Sequence, residues 1–333
     1  MDRGSWTKRT LLYFFLLITL TITSCKHKEQ PTSEQTTQEK TITKPDFSTD
    51  SAYLFTQQQV DMGPRVPGSA AQQKCAAYME KKLKQFGASV IVQKTNVTVY
   101  NGKRVPCINI IGSYNPAVKR RLLLCTHWDA RPFADQDDSA KSTPILAADD
   151  GGSGVSILLE IARQLQKKNP ETGVDILLLD VEDYGQPDYE PNQTRGDFYC
   201  LGTQYWCSNP HVPGYSAENG ILLDMVGAKG ATFTYEGISM QNAPDFMKQV
   251  WRTADALGYS NFFQKEITDP IIDDHYYINR LTRIPTIDII SRTYTTKSGF
   301  PAHWHTHKDN MHNIDKLTLQ AVGETVLATV YGF

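Results

Sequence analysis

The sequence lacks several features that would place it in common functional classes. Its six cysteines include no CxxC pair, which removes the most frequent cysteine-based metal pattern. Its 34 basic residues do not outnumber its 36 acidic residues, and a net charge of −2 argues against a nucleic-acid partner. No Ser-His or Cys-His pairing is evident that would indicate a protein nucleophile. The sequence also has no internal repeat and no second polar linker, which favours one large domain.

The N-terminal region predicts export and attachment to a membrane. A positively charged start precedes an apolar run over residues 11–22, which is typical of a signal peptide and too short to span a bilayer comfortably. The run ends in Ile-Thr-Ser-Cys and resembles a bacterial lipobox, in which Cys25 is acylated. An ordinary signal peptide with a chance cysteine is the alternative. We therefore expect a lipoprotein signal peptide over 1–24, a lipidated Cys25 and flexible tether over 25–45, and a folded domain over 46–333, located in the periplasm or at the cell surface.

Alternating helical and strand patterns predict an α/β fold for the folded domain. Apolar residues at helical spacing indicate helices over residues 70–86, 153–168, 246–257 and 313–331. Strand patterns cover residues 88–100, 105–113, 121–126, 174–180, 221–226 and 284–290. Continuous apolar strands between helices favour a mostly parallel mixed sheet with helices on both faces. Ser153 is expected to be the N-cap of its helix, and the active site is expected beyond the carboxyl ends of the strands.

Ionisable residues follow the apolar strands at this predicted edge of the sheet. They are His127 and Asp129, Asp149 and Asp150, Glu182 and Asp183, Asp224, and His305. Converging histidines and carboxylates are the usual ligands of Zn²⁺, and a neighbouring carboxylate can act as a base. Taken singly, each has an ordinary explanation as a turn, cap or surface residue. The adjacent Glu182 and Asp183 are harder to explain in this way, because two carboxylates repel each other unless a cation lies nearby.

The order of these residues resembles the zinc aminopeptidase clan over about residues 60–331. Its pattern is a His-x-Asp motif, an Ala-x-Asp motif before a glycine-rich helix start, an acidic pair, an isolated Asp and a late His. Within the clan, the sequence resembles animal-type glutaminyl-peptide cyclotransferases, in their bacterial lipoprotein branch. Three stretches carry this resemblance: Leu223-Asp-Met-Val-Gly-Ala228, Ile272-Asp-Asp-His275, and Trp304-His-Thr followed by Asp309-Asn310. The implied reaction converts the N-terminal Gln of peptides and proteins to pyroglutamate and releases ammonia.

The resemblance also implies roles for individual residues. The implied ligands of a single zinc ion are Asp150, Asp183 and His305. The implied reaction and substrate residues are Glu182 as general base and acid, Asp224 and Asp273 as its hydrogen-bond partners, and Trp304 as a wall of the substrate pocket. The family's acidic pair is usually Glu-Glu, so the shorter Asp183 would bring the zinc closer to the backbone. The choice of Asp150 over Asp149 as a ligand depends on register alone.

Two other functions remain open from the sequence. A two-zinc aminopeptidase would use the same fold, with His127 and Asp224 as candidate ligands of the second zinc and Glu182 activating water. A lipoprotein could instead keep the fold as a non-catalytic binding module, although the complete set of ionisable residues argues against this. The number of bound zinc ions separates the first two functions, since the cyclase would hold one and the peptidase two.

Overall fold

The computed structural model describes residues 44–192 and 194–333. The expected signal peptide, the lipidated Cys25 and all but the end of the tether lie outside these residues. Within the described part, no helix combines the length and the apolar character needed to cross a membrane. The cysteines of this part are all free thiols, namely Cys75, Cys107, Cys125, Cys200 and Cys207.

Six strands form one central mixed sheet. In chain order the strands are β1 (Ser89–Thr98), β2 (Arg104–Tyr114), β3 (Arg121–His127), β4 (Gly173–Leu179), β5 (Asn219–Asp224), β6 (Phe233–Tyr235), β7 (Phe263–Ile267) and β8 (Thr286–Ile290). The central sheet has the order β1-β2-β4-β3-β5-β8, and β6 and β7 form a separate parallel pair. Strands β4, β3, β5 and β8 pair in parallel, whereas β1 and β2 are antiparallel. The predicted mostly parallel mixed sheet is confirmed, and its parallel strands end at one edge.

Helices cover both faces of this sheet. In the described residues they are α1 (Thr49–Val60), α2 (Ala70–Gln85), α3 (Gly152–Lys167), α4 (Leu201–Ser208), α5 (Gly237–Asn242), α6 (Pro244–Ala256), α7 (Asp274–Thr282) and α8 (Lys316–Gly332). Successive side chains of a strand point to opposite faces, so Leu122 and Leu124 join the core formed with α2, α3 and α8. Leu123 and Cys125 join a second core formed with α4 and α7. Burial on both faces explains the unbroken apolar run from Leu122 to Cys125 in β3.

The start of α3 differs from the sequence prediction. Ser153 is not the N-cap, because Gly151 occupies that position with a φ of 82° and the helix begins at Gly152. The Ser153 hydroxyl instead donates to the carbonyl of Asp149 (2.7 Å) and accepts from the amide of Val226 (2.9 Å). A Cβ at Gly154 would lie 2.7 Å from the carbonyl oxygen of Leu223. Glycine therefore lets the helix start pack directly against the end of β5.

Candidate active site

The site is a pocket at the edge where the parallel strands end. Its cavity volume is about 100 Å³, below the usual range for pockets that enclose a drug-sized ligand. Seven sequence-predicted residues line it, namely Asp150, Glu182, Asp183, Asp224, Asp273, Trp304 and His305. Apolar side chains and one tyrosine complete the lining: Tyr199, Met225, Ile271, Ile272, Ile290 and Phe300. The fold thus brings residues from seven separate segments of the chain into one place.

Three of these residues form a group suited to a metal ion. Asp150, Asp183 and His305 each present one ligand atom, and these atoms lie within 4.8 Å of one another. The Nε2 atom of His305 lies 3.2 Å from Oδ1 of Asp183 and 3.7 Å from Oδ2 of Asp150. The Oδ2 atoms of both aspartates are buried without a hydrogen-bond partner among the described residues. Buried carboxylate oxygens left unpaired beside an imidazole are unfavourable unless a cation completes the group, so this donor set fits zinc.

The two adjacent aspartates, Asp149 and Asp150, differ in orientation. Asp149 points away from the group, since its Oδ1 accepts the amide of Gly227 (2.8 Å) and its Oδ2 lies 2.9 Å from Nε2 of His303. Both oxygens of Asp149 are therefore engaged in holding neighbouring loops. Asp150 is the residue whose carboxylate reaches the pocket.

Two buried aspartates hold the backbone of the carboxylate ligand candidates. Asp129 accepts the amides of Glu182 (3.0 Å) and Asp183 (3.2 Å). Asp309 likewise accepts the amide of Asp150 (3.1 Å) and that of the residue before it (2.8 Å). We call Asp129 and Asp309 the amide-binding aspartates. The sequence presented them only as parts of the His-x-Asp and Asp-Asn motifs, and their role became visible only with the long-range contacts.

A buried ion pair between Arg131 and Asp135, which the sequence did not indicate, contacts two of the metal-ligand candidates. Arg131 donates to both oxygens of Asp135 (2.7 and 2.6 Å) and to Oδ1 of Asp183 (3.1 Å). Asp135 Oδ1 in turn lies 3.4 Å from Nδ1 of His305. Although burial raises it, hydrogen bonds from Arg131 and His305 hold the pKa of Asp135 below its usual range. Such outer partners orient metal ligands, and no sequence pattern marks an Arg and an Asp in a loop.

Glu182 lies beside this group without belonging to it. Its Oε1 accepts a hydrogen bond from the thiol of Cys200 at 3.2 Å, and ligand atoms of Glu182, Cys200 and Asp273 lie within 4.8 Å of one another. Burial raises the pKa of Glu182 well above its ordinary value, opposed by His127 and reinforced by repulsion from Asp183 and Asp273. A raised carboxyl pKa suits a group that accepts and returns a proton near neutral pH.

The implied hydrogen bonds of Asp224 and Asp273 to Glu182 stay predictions, and the structure shows other contacts for these carboxyls. Asp224 and Asp273 were expected to bond to Glu182, but among the described residues the Glu182 carboxylate receives its hydrogen bond from Cys200. Asp224 faces His127 instead, with its Oδ1 3.3 Å from Nε2 of the imidazole. Asp273 Oδ1 accepts the amide of the next residue, at the start of α7.

His127 connects the two expected metal positions. Its Nε2 lies 3.0 Å from Oδ1 of Asp150 and 3.3 Å from Oδ1 of Asp224. Ligand atoms of these three residues also lie within 4.8 Å of one another. Burial raises the pKa of Asp224 to about 6, with attraction from His127 lowering it and repulsion from Asp150 adding to it. This second group is the one that a two-zinc aminopeptidase would use.

Aromatic side chains form the wall of the pocket beside His305. The ring of Trp304 stacks on the His305 imidazole, with 3.8 Å between ring centroids and an angle of 25° between planes. Phe300 packs against Trp304, with 4.8 Å between the ring centroids. The expected position of Trp304 in the pocket agrees with this geometry, which leaves a flat apolar surface next to the zinc-binding candidates.

Backbone strain is concentrated around the pocket. Four non-glycine residues at its edge have left-handed backbone, namely Val181 (φ 54°), Cys200 (53°), Met225 (48°) and His305 (54°). This conformation is unfavourable for residues with a Cβ, and such residues cluster at functional sites where the surrounding structure holds them. The turns that follow β4 and β5 therefore direct Glu182 and Asp224 inward at a cost in backbone energy.

This chain is similar to several known proteins over most of its length. A model of peptidase family M28 matches residues 109–330. A glutaminyl-peptide cyclotransferase of Boiga dendrophila is 25% identical over 289 residues, which cover 78% of this chain and 75% of the relative. The crystal structure of Bacteroides thetaiotaomicron glutaminyl cyclase bound to N-acetylhistamine is 50% identical, with a TM-score of 0.85, and the match covers 87% of this chain and all of that one. A Zn-dependent exopeptidase from Parabacteroides distasonis is 48% identical, with a TM-score of 0.86 and the same coverage.

Proposed function

The chain belongs to peptidase family M28, and we propose that within this family it is a zinc-dependent glutaminyl-peptide cyclotransferase. Its substrates are peptides and proteins with an N-terminal Gln, which it converts to pyroglutamate with release of ammonia. The glutaminyl cyclases among its relatives support this function. The observation at the site that carries the proposal is the buried carboxyl of Asp273 beside Glu182, in addition to the zinc-binding group. A second carboxyl raises the pKa of the first, as a group that moves one proton in two directions requires.

The proposed reaction uses no nucleophile from the protein. The substrate's α-amine attacks its own γ-carbonyl carbon, so the new C–N bond closes the ring and the bond to the amide nitrogen breaks. Asp150, Asp183 and His305 would hold the zinc ion, which would supply Lewis-acid chemistry at the substrate amide. Glu182 accepts the proton released by the α-amine and returns it to the departing nitrogen, which leaves as ammonia. Trp304 covers one side of the Gln side chain and keeps water away from it.

The proposal includes one zinc ion per chain. His127 already lies at hydrogen-bonding distance from Asp150 and Asp224 and forms ion pairs where a second ion would bind. The same closeness of these three residues is the observation that favours the two-zinc aminopeptidase as the second candidate. Metal analysis of the purified protein separates the two candidates, with one zinc per chain expected for the cyclase and two for the peptidase.

Mass spectrometry of the product tests the reaction directly. Purified protein is incubated with a peptide that begins with Gln, and loss of ammonia from an otherwise intact peptide is expected. The same peptide with an acetylated α-amine is the matched control, because it lacks the attacking nitrogen and should remain unchanged. Release of free Gln would identify an aminopeptidase, and an unchanged Gln peptide would favour the binding module.

We also propose that the protein is exported and is held on the periplasmic side of a membrane or on the cell surface by a lipid on Cys25. The apolar run and the Ile-Thr-Ser-Cys sequence support this proposal. Acyl chains on one cysteine provide the hydrophobic anchor, so Cys25→Ala should move the protein from the membrane fraction to the soluble fraction. A variant that stays with the membrane would show that the anchor has been assigned to the wrong residue.

A further inference from the structure

The thiol of Cys200 faces the carboxylate of Glu182 from the start of α4. Its Sγ lies 3.2 Å from Oε1 of Glu182, and the Cys200 side chain is fully buried. The backbones of the two residues are also joined, since the amide of Cys200 donates to the carbonyl of Glu182 at 2.9 Å. The amide of Leu201 donates to the carbonyl of Val181 at the same distance. The start of α4 and the turn after β4 thus form one unit, and the thiol is its side-chain contact.

The thiol is the donor in this contact. In its ionised form, from which the proposed reaction starts, the Glu182 carboxylate can only accept, so the hydrogen atom between sulfur and oxygen then belongs to sulfur. Burial and the nearby carboxyls of Glu182, Asp274 and Asp273 raise the pKa of the Cys200 thiol well above its ordinary value, which keeps it protonated. No other side chain of the described residues donates to the Glu182 carboxylate.

The position of the thiol is fixed by close packing. Gly202, in the first turn of α4, lies so near the turn after β4 that an added Cβ would be 2.0 Å from the carbonyl oxygen of Asp180. Asn109 links the same two segments, because its side chain donates to the carbonyl of Gly202 (2.9 Å) and accepts the amide of Asp180 (3.0 Å). Cys200 itself has left-handed backbone. The helix start cannot shift relative to Glu182 without breaking these contacts.

We propose that Cys200 is a positioning residue, whose thiol holds the Glu182 carboxylate in the orientation needed for proton transfer. The proposal rests on the function of Glu182 as a base, which the cyclase and the aminopeptidase share. Without this bond the carboxylate turns away from the neighbouring carboxyl of Asp273 and reaches the substrate's proton less often. The turnover number falls, whereas KM stays, because Trp304 and the zinc-binding residues that hold the substrate are untouched.

The test compares Cys200→Ala with Cys200→Ser. The alanine variant lacks the donor and should lower kcat about tenfold, the effect of one hydrogen bond to a charged group, with little change in KM. The serine variant keeps a donor and should stay within about threefold of the wild-type kcat. If Cys200 only fills space, the serine variant should be the more impaired of the two, because burying a hydroxyl costs more stability than losing the sulfur atom. Alanine equal to or better than serine would overturn the proposal, as would a tenfold loss in the serine variant on its own.

Cys125 provides the matched control. It is equally buried, and its thiol donates to the carbonyl of Ile221 at 3.5 Å rather than to a carboxylate of the pocket. Cys125→Ala and Cys125→Ser should therefore leave kcat unchanged, whatever they do to the melting temperature. Zinc content and melting temperature are measured for every variant, so that loss of fold is not mistaken for loss of positioning.

A double variant shows whether the thiol acts through Glu182. Adding Cys200→Ala to Glu182→Gln should cost no further activity, because the carboxylate that the thiol holds is already gone. A further loss of the same size would contradict the proposal. If the wild-type protein releases free Gln instead of ammonia, the cyclase function fails, but the order of serine and alanine is then measured on peptide hydrolysis. The two failures therefore give different results.

Discussion

Buried carboxylates at the two ends of the central sheet differ in whether their oxygens have hydrogen-bond partners. Near the start of β4, Asp175 accepts two hydrogen bonds from Arg121 (2.6 and 2.8 Å). It also accepts the hydroxyls of Ser113 (2.6 Å) and Tyr215 (2.9 Å). At the other end, several buried carboxyls have oxygens without a partner among the described residues, namely Asp150, Asp183, Asp273, Asp274 and Asp288. Only the second arrangement is open to an ion, a proton or a substrate.

This difference separates carboxylates that stabilise the fold from those that serve the reaction. A buried charge whose hydrogen bonds are all formed contributes to the folded state, and removing its partner destabilises it. A buried carboxyl with free oxygens costs stability, and such groups concentrate where chemistry takes place. We expect substitutions at the open end to change activity with little effect on the fold, and those at the closed end to do the reverse.

The largest effect should come from removing a zinc-binding candidate. His305→Ala deletes one of three ligands, so both activity and bound zinc should fall to background. The metal-free variant should unfold at about the same denaturant concentration as chelator-treated wild type. Activity assays, metal analysis and denaturant titration of the same samples make the comparison. Full zinc occupancy in the variant would remove His305 from the site.

Glu182→Gln should have the next largest effect. The turnover number should drop by about 10²–10⁴-fold, the usual contribution of one general acid–base group, while zinc and fold are retained. Because the pKa of Glu182 is raised and the reaction starts with Glu182 unprotonated, wild-type activity should rise with pH through a value above the ordinary carboxyl range. The variant should lose this acidic limb. Near-normal turnover, or loss of zinc with activity, would show that the roles of Glu182 and Asp183 have been misassigned.

Asp175→Asn should have the smallest effect on activity and test the closed end of the sheet. It leaves the buried Arg121 without its counter-charge, which should lower the free energy of unfolding by about 3–5 kcal/mol with kcat unchanged. Arg120→Ala is the matched control, because its ion pair with Glu218 is more than half exposed on both sides and contributes little. Denaturant unfolding and the cyclisation assay of both variants decide the matter. A fall in kcat in folded Asp175→Asn protein would show that the two ends are coupled.

The sequence predicted those parts of the molecule that depend on neighbours along the chain. The helix expected over residues 70–86 is observed as α2, and the strand expected over 121–126 is β3 with one further residue. Apolar strands followed at once by ionisable residues were enough to locate the pocket, because parallel strands end at one edge. Helices α1 and α4 were missed because their apolar residues follow no clear helical period.

Contacts between distant segments were beyond the sequence. Arg131 reaches Asp183 across 52 positions, and Cys200 reaches Glu182 across 18. No local pattern encodes either contact. Ser153 was expected as an N-cap from residue type alone. Gly151 is the N-cap instead, because it adopts a backbone conformation that other residues rarely adopt, and the helix begins one residue before Ser153. The roles assigned to the pocket residues stay predictions until the variants are measured.

The amide-binding aspartates predict an order of events, in which folding precedes metal binding. Asp129 and Asp309 hold the backbone at both carboxylate ligand candidates through four amide hydrogen bonds, none of which involves an ion. We therefore expect the ligand candidates to be in place once the chain has folded, in contrast to small domains that fold only around their metal. If the chain is exported as proposed, it would then take up zinc at its destination as a finished apoprotein.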